Sequence, residues 1–224
     1  MQIHVITSAN AEQNAGFLDL YYQARHKVYA DELRWVKPSP DGREHDPYDT
    51  EHAVHFVGME SGQMIAASRL VPTHRPHLLA DNFAANCTKG LIRDARVAEW
   101  TRGFVVRERR DGALGILYQF CHAIMEYSLA EGITMVGGIQ RTYWLPMWMR
   151  MGWKVHIIGE PVDMDGDPWV PAYADVSESA LQGAARRAKV ERSLLVRSGP
   201  QRPFVETPHP LSAGAHAPAN TVEA

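Results

Sequence analysis

Cysteine is nearly missing from this chain. Cys87 and Cys121 are the two in 224 residues, too few for a disulfide framework and without the spacing of a zinc site. A reducing, cytoplasmic setting is therefore expected. Cys121 falls among Phe120, Ile124 and Met125, the company of a small core residue rather than a nucleophile. Positive charge is not in excess either: 23 Lys and Arg stand against 26 Asp and Glu, a net charge of −3. No nucleic-acid partner is expected from that balance. No apolar run approaches the ~20 residues that span a bilayer, and residues 1–7 lack the basic start and apolar stretch of a signal peptide, so no membrane role is expected. Internal repeats are missing too.

What is there is ordinary for a soluble protein: 45% hydrophobic and 22% charged residues, in a length that suits one domain. Alternation over 3–7 predicts a first strand. Apolar residues at 17, 18, 20, 21, 24, 28, 29 and 33 predict a helix with one apolar face to about Leu33. Trp35 closes it, and Pro38 and Pro40 forbid its continuation. The stretch 38–49 is rich in turn formers and carries Asp41, Glu44, Asp46 and Asp49, with Glu51 just beyond. EF-hand spacing is missing, so no metal site is expected. A solvated acidic loop is the first reading, and a fixed arrangement for a cationic small molecule the second.

A hairpin is predicted over 53–60 and 64–71, with Arg69 near its end. A short helical or irregular piece follows at 78–83, then a strand at 97–106. The basic turn at 107–115 leads into a helix to about Glu131, and its free N–H groups suit an anion. Strand 133–139 holds Gly137 and Gly138, which permit close approach or splaying. A Trp- and Met-rich helix at 142–151 takes Pro146 in its first turn. Strands at 152–158 and 172–176 and a basic helix from 177 to about 195 complete the order. The expectation is one α/β sandwich over 1–198, a mostly antiparallel mixed sheet with helices on both faces. Residues 199–224 have almost no core-forming bulk and are expected to be a disordered tail.

Strand 97–106 stands out. Glu99, Thr101 and Arg102 sit in its middle, where alternation puts Glu99 and Thr101 on one face and Arg102 on the other. Such groups are costly in an apolar strand unless paired or used. They form either an internal ion pair on a barely buried strand or a reaction centre.

The set Arg25-x-x-Val28-Tyr29-x-x-x-Leu33-x-Trp35, Asp46-x-x-Asp49, Arg69, Phe83 and Glu99-x-Thr101-Arg102 resembles the acyl-homoserine-lactone synthases, the autoinducer synthases of quorum sensing. The resemblance covers roughly residues 1–180. That family usually has Phe at the place of Tyr29 and Ser at that of Thr101; both changes keep the chemical type. The resemblance implies a fold like the GNAT N-acyltransferases, a three-layer sandwich. It implies no cofactor and two substrates, S-adenosylmethionine and an acyl thioester of coenzyme A or acyl carrier protein. The products would be an acyl-homoserine lactone, methylthioadenosine and the free thiol carrier.

On that reading Asp46 and Asp49 meet the cationic parts of S-adenosylmethionine. Arg25 or Arg69 takes its carboxylate, and Trp35 and Tyr29 face its adenine or sulfonium. Otherwise Arg25 is a surface helix charge and Trp35 ordinary core. Glu99 is the candidate base for the amine, or else it only pairs with Arg69 or Arg102. The Thr101 hydroxyl or backbone N–H groups around Trp100 to Phe104 would stabilise the oxyanion. The motifs Pro40-Asp41-Gly42-Arg43-Glu44, Arg109-Arg110-Asp111-Gly112-Ala113-Leu114 and Trp144-Leu145-Pro146 are similar to the rhizobial branch. That branch is associated with coenzyme A thioesters of branched or aromatic acids.

Phe83, Trp100, Phe104, Arg109, Arg110, Tyr143, Trp144 and Trp148 are then the acyl and coenzyme A contacts. An acyl carrier protein would need a basic docking face, which Arg107, Arg109, Arg110 and Arg150 offer. Two other classes share the scaffold: an acetyltransferase acting on a small amine, and a non-catalytic ligand-binding protein.

Overall fold

The computed structural model describes residues 1–164 and 166–206. Among them nine strands form one mixed sheet: β1 Gln2–Ile6, β2 Val54–Glu60, β3 Gln63–Pro72, β4 Val97–Val105, β5 Met135–Arg141, β6 Val155–Ile157, β7 Val162–Met164, β8 Asp167–Asp175 and β9 Leu195–Val196. Their order is β6-β8-β5-β4-β3-β2-β1-β9, with β7 paired to β8. Contacts are antiparallel except β4 with β5 and β1 with β9. The helices are α1 Ala15–Arg25, α2 Leu78–Asn82, α3 Leu114–Ala130, α4 Trp144–Arg150 and α5 Glu178–Ala188.

Strand alternation explains the layers. On β1 and β2, Val5 and Phe56 pack in one cluster with Phe120, Ile124 and Tyr127 of α3. Their neighbours Ile6 and Val57 pack in another with Phe17 and Tyr21 of α1. Helices α1 and α3 therefore cover opposite faces of the sheet. After α1 the chain widens into a π-helical turn over His26–Glu32. It ends where the Trp35 N–H donates back to the Tyr29 carbonyl at 2.8 Å.

Two irregularities position the site. The β3–β4 register slips between Ala67 and Arg69, so that Arg102 and Gly103 together oppose Ser68. Arg102 adopts φ +52° there. This is a β-bulge, and it breaks the alternation expected of β4. The second is the parting of β4 and β5. Their pairing runs from Val97↔Met135 to Glu99↔Gly137 and stops. At Gly137 a Cβ would lie 2.1 Å from the Ala172 carbonyl oxygen, so only glycine allows β8 so close.

Three expectations need correction. Helix α5 is shorter than its amphipathic pattern suggested, because Lys189 turns left-handed at φ +55° and ends it. Strand β8 begins at Asp167 rather than at 172 and forms a hairpin with β7. The chain does not leave the fold at 198. Phe204 is buried in the α3 cluster, and its N–H donates to Glu131 at 3.0 Å. The Arg202 N–H donates to the Thr7 hydroxyl at 3.1 Å. The rest of the expected tail, 207–224, lies outside the described residues.

Candidate active site

Helix α1 supplies Arg25, β3 supplies Arg69, and the bulge on β4 supplies Arg102. The loop between α1 and β2 lays Glu44, Asp46 and Asp49 among them. Arg25 donates to Glu44 through Nε, and through Nη1 to both Asp49 oxygens at 2.7 and 2.9 Å. Arg69 Nη1 donates to Asp46 and Asp49, each at 2.6 Å. Arg102 Nη2 reaches Glu44 at 3.0 Å and Asp46 at 2.9 Å. Three positive and three negative groups thus form one neutral, closed network. The rings of Tyr21 and Tyr22 lie 5.1 and 5.4 Å from the Arg25 guanidinium, and that of Tyr29 lies 4.9 Å from Arg102.

The solvated-loop reading of 38–49 fails for its second half. The Glu44, Asp46 and Asp49 side chains are only 4, 7 and 5% exposed. Arg25, which a helix surface would have shown to solvent, is fully buried. Burial alone would raise the Asp49 carboxyl, but the charges of Arg69 and Arg25 outweigh it and hold it far below the usual carboxylate range. Asp46 shifts the same way: Arg69 and Arg102 overcome its burial. His55 beside them is pushed down to about 3, chiefly by burial, and stays neutral.

Glu99 has different partners from those expected. It pairs with neither Arg69 nor Arg102. Its Oε1 accepts from the Leu79 N–H at 2.6 Å and its Oε2 from the Leu78 N–H at 2.9 Å, the first turn of α2. Burial pushes its pKa up to about 7 in spite of these two bonds. Gly138, at φ +138°, gives it room, since a Cβ there would stand 3.0 Å from the Glu99 Cγ.

Where β4 and β5 part, a cleft of about 410 Å³ opens. Gln140 bridges its floor by donating to the Trp100 carbonyl at 3.2 Å. Of the residues singled out from sequence, Tyr29, Trp35, Trp100, Thr101, Arg102, Phe104, Arg110, Tyr143, Trp144 and Trp148 line it. Trp100 stacks on the buried Trp148 with centroids 6.0 Å apart and planes at 7°. Trp35, read alternatively as core, is 39% exposed.

Asp46 and Arg69 stand one contact behind the wall, through Arg102 and Thr101, and Arg25 and Asp49 one contact further back. Arg69 Nη2 donates to the Thr101 hydroxyl at 3.2 Å. Glu99 is equally one step back, through Leu78, which lines the cleft. Phe83 packs instead with Leu79 and Cys87, and Arg109 pairs with Glu60. Sequence reasoning missed Leu117, Gln140, Arg141 and Trp169 on the wall. Trp169, the lone aromatic of a proline-flanked stretch, was the one available signal.

A half-parted mixed sheet covered by helices on both faces, with a cleft at the parting, is a fold shared with N-acyltransferases. The fold matches a putative N-acetyltransferase from Lactobacillus plantarum at a TM-score of 0.51 and 18% identity, covering 79% of this chain and all of that one. The chain belongs to the autoinducer synthase family, whose model matches residues 9–182, and is an acyl-homoserine-lactone synthase, an acyltransferase. It is 32% identical to the isovaleryl-homoserine lactone synthase of Bradyrhizobium diazoefficiens, covering 89% of this chain and 90% of that one. It also superposes on the structure of a coenzyme A-dependent acyl-homoserine lactone synthase, BjaI, with S-adenosylmethionine and isopentyl-coenzyme A. That match has a TM-score of 0.84 at 30% identity, over 91% of this chain and 96% of that one. Among the described residues no helix is long and apolar enough to cross a membrane.

Proposed function

We propose that this synthase moves a short branched or aryl acyl group from coenzyme A to the amine of S-adenosylmethionine. The substrate carboxylate then displaces methylthioadenosine and closes the lactone. The observation that carries this reading is the compact cleft at the parting of β4 and β5, walled by Trp100, Trp144 and Trp148. Its volume is small for two substrates by the usual range of ~300–1,000 Å³ for ligand sites, which suits a short acyl chain and disfavours a long fatty one. The names and bound ligands of the similar proteins support the same donor class.

The chemistry assigns roles. Tyr29, Trp35 and Phe104 offer ring faces to the adenine and sulfonium. The Thr101 hydroxyl accepts from Arg69, which leaves its own proton to donate to the thioester oxygen as negative charge develops there. The six-charge network holds the acidic loop and the bulge in place around the acceptor, acting through Thr101 and Arg102. Glu99 fixes the first turn of α2 beside the cleft, and its pKa of about 7 suits proton removal from the amine through a water.

The test is direct. Purified protein is mixed with S-adenosylmethionine and a panel of branched, aryl and linear acyl-coenzyme A thioesters and acyl carrier proteins. Methylthioadenosine and lactone are quantified by chromatography. Release with branched or aryl coenzyme A thioesters above all others is expected. Preference for a carrier-protein thioester overturns the donor assignment. No methylthioadenosine with any donor overturns the reaction.

A further inference from the structure

The proposed acceptor carries a carboxylate, and the arginines marked for it in the sequence already hold carboxylates of the protein. Arg25, Arg69 and Arg102 are matched against Glu44, Asp46 and Asp49. On the cleft wall Arg110 is tied to Glu32 at 2.6 Å. One cleft arginine is differently placed. Arg141, at the end of β5, lies beside an edge-to-face pair of indoles, its guanidinium 5.5 Å from the Trp35 ring and 5.2 Å from the Trp169 ring, which are themselves 5.4 Å apart. Its one ion pair among the described residues is to Asp167, at 3.0 Å through Nη2, and that carboxylate is half exposed. Its Nε is buried and has no hydrogen-bond partner among the described residues.

We propose that Arg141 is the residue that receives the α-carboxylate of S-adenosylmethionine. The inference rests on S-adenosylmethionine being the acceptor. A planar guanidinium resting against two rings has its fork oriented by them and matches a planar carboxylate. The exposed Asp167 is a weak competitor, because an ion pair open to water contributes little. Pairing the substrate carboxylate with a cation also removes the nearby anion that favours the ammonium form of the amine. The nucleophilic, neutral amine is thereby made easier to reach. Trp35 comes from the loop after α1 and Trp169 from β8, so their edge-to-face contact, with Arg141 beside it, joins the two sides of the cleft.

The experiment compares the wild type with Arg141→Gln and Arg141→Lys. S-adenosylmethionine and its decarboxylated analogue are titrated calorimetrically, and KM is measured for both substrates. Thermal melting checks the fold of each variant. A charge-assisted pair predicts that Arg141→Gln weakens S-adenosylmethionine binding about tenfold or more. Binding of the decarboxylated analogue and KM for the acyl-coenzyme A stay unchanged, and Arg141→Lys falls between. Equal losses for both ligands, or no loss for either, overturn the assignment. A rise confined to KM for the acyl-coenzyme A does so as well, because it moves Arg141 to the donor. If Arg141→Gln fails to fold, Arg141→Lys and the wild type's own preference for the carboxylated ligand decide. Calorimetry needs no turnover, so this result stands apart from any failure to release methylthioadenosine.

Discussion

Replacing Asp49 by Asn should cost this protein a large part of its stability while changing almost no volume. The Asp49 oxygens accept four hydrogen bonds: two from Arg25, one from Arg69 at 2.6 Å and one from the Asp46 N–H at 2.8 Å. An amide keeps one acceptor and turns an N–H₂ toward a donor. The network changes from neutral to a net charge of about +1, in a place with little access to water. Breaking a buried ion pair from one side costs about 3–5 kcal/mol, a fall in Tm of roughly 6–20 °C for a chain of this size.

Urea unfolding of wild type and Asp49→Asn at pH 7 measures this through the shift in midpoint at unchanged slope. The pH dependence adds a signature. Asp49 has its folded pKa depressed, so its stabilisation is complete above the unfolded value of about 3.9 and is lost as pH falls below it. The gap between the two proteins should hold from pH 7 to about 4 and close at lower pH. The exposed Asp41→Asn is the control and should leave unfolding unchanged. A difference for Asp49→Asn under about 1 kcal/mol at pH 7 would refute the claim that this network organises the site.

Glu99→Gln replaces one of two acceptors at the start of α2 with a donor. Turnover should fall far more than S-adenosylmethionine binding, and the wild type's rise in rate as pH increases through about 7 should flatten; equal losses in rate and binding would make the role purely one of binding. Trp144→Ala should extend the acyl-coenzyme A profile to longer chains, read from methylthioadenosine release across a chain-length series, and an unchanged profile would take Trp144 out of the acyl site. Phe204→Ala should destabilise by about 3–5 kcal/mol as a buried aromatic, measured by urea unfolding. A change within about 0.5 kcal/mol, the size expected of a surface site, would mean the segment after 198 adds nothing to the core.

Periodic elements were legible from local pattern, because α1, α3, β2 and β3 alternate or repeat in ways that burial on one face demands. Arg102 was misread because alternation assumes an unbroken ladder, and the one local hint of a bulge is Gly103 inside the strand pattern. The burial of Asp46 and Asp49 was beyond local reasoning, since their partners Arg69 and Arg102 are 20 or more positions away and acidic loops are ordinarily solvated. Glu99 showed its unusual placement by standing in an apolar strand, but its partners are backbone groups of α2, which side-chain identities do not encode. Arg141 and Trp169 escaped notice for a related reason. Each is unremarkable in its own strand and gains meaning only from β5 and β8 lying side by side.

The six-charge network also bears on how the molecule comes together. The stretch from Leu33 to Ala53 has no regular hydrogen-bond ladder. Its shape is supplied by arginines from three elements separated by up to 77 positions in the chain. Closing contacts so distant in sequence costs chain entropy, which the assembled sheet offsets by holding their carriers near one another. The arrangement of charges behind the cleft therefore depends on the whole sheet, and a change that loosens β3 or β4 reaches the loop from Leu33 to Ala53 as well.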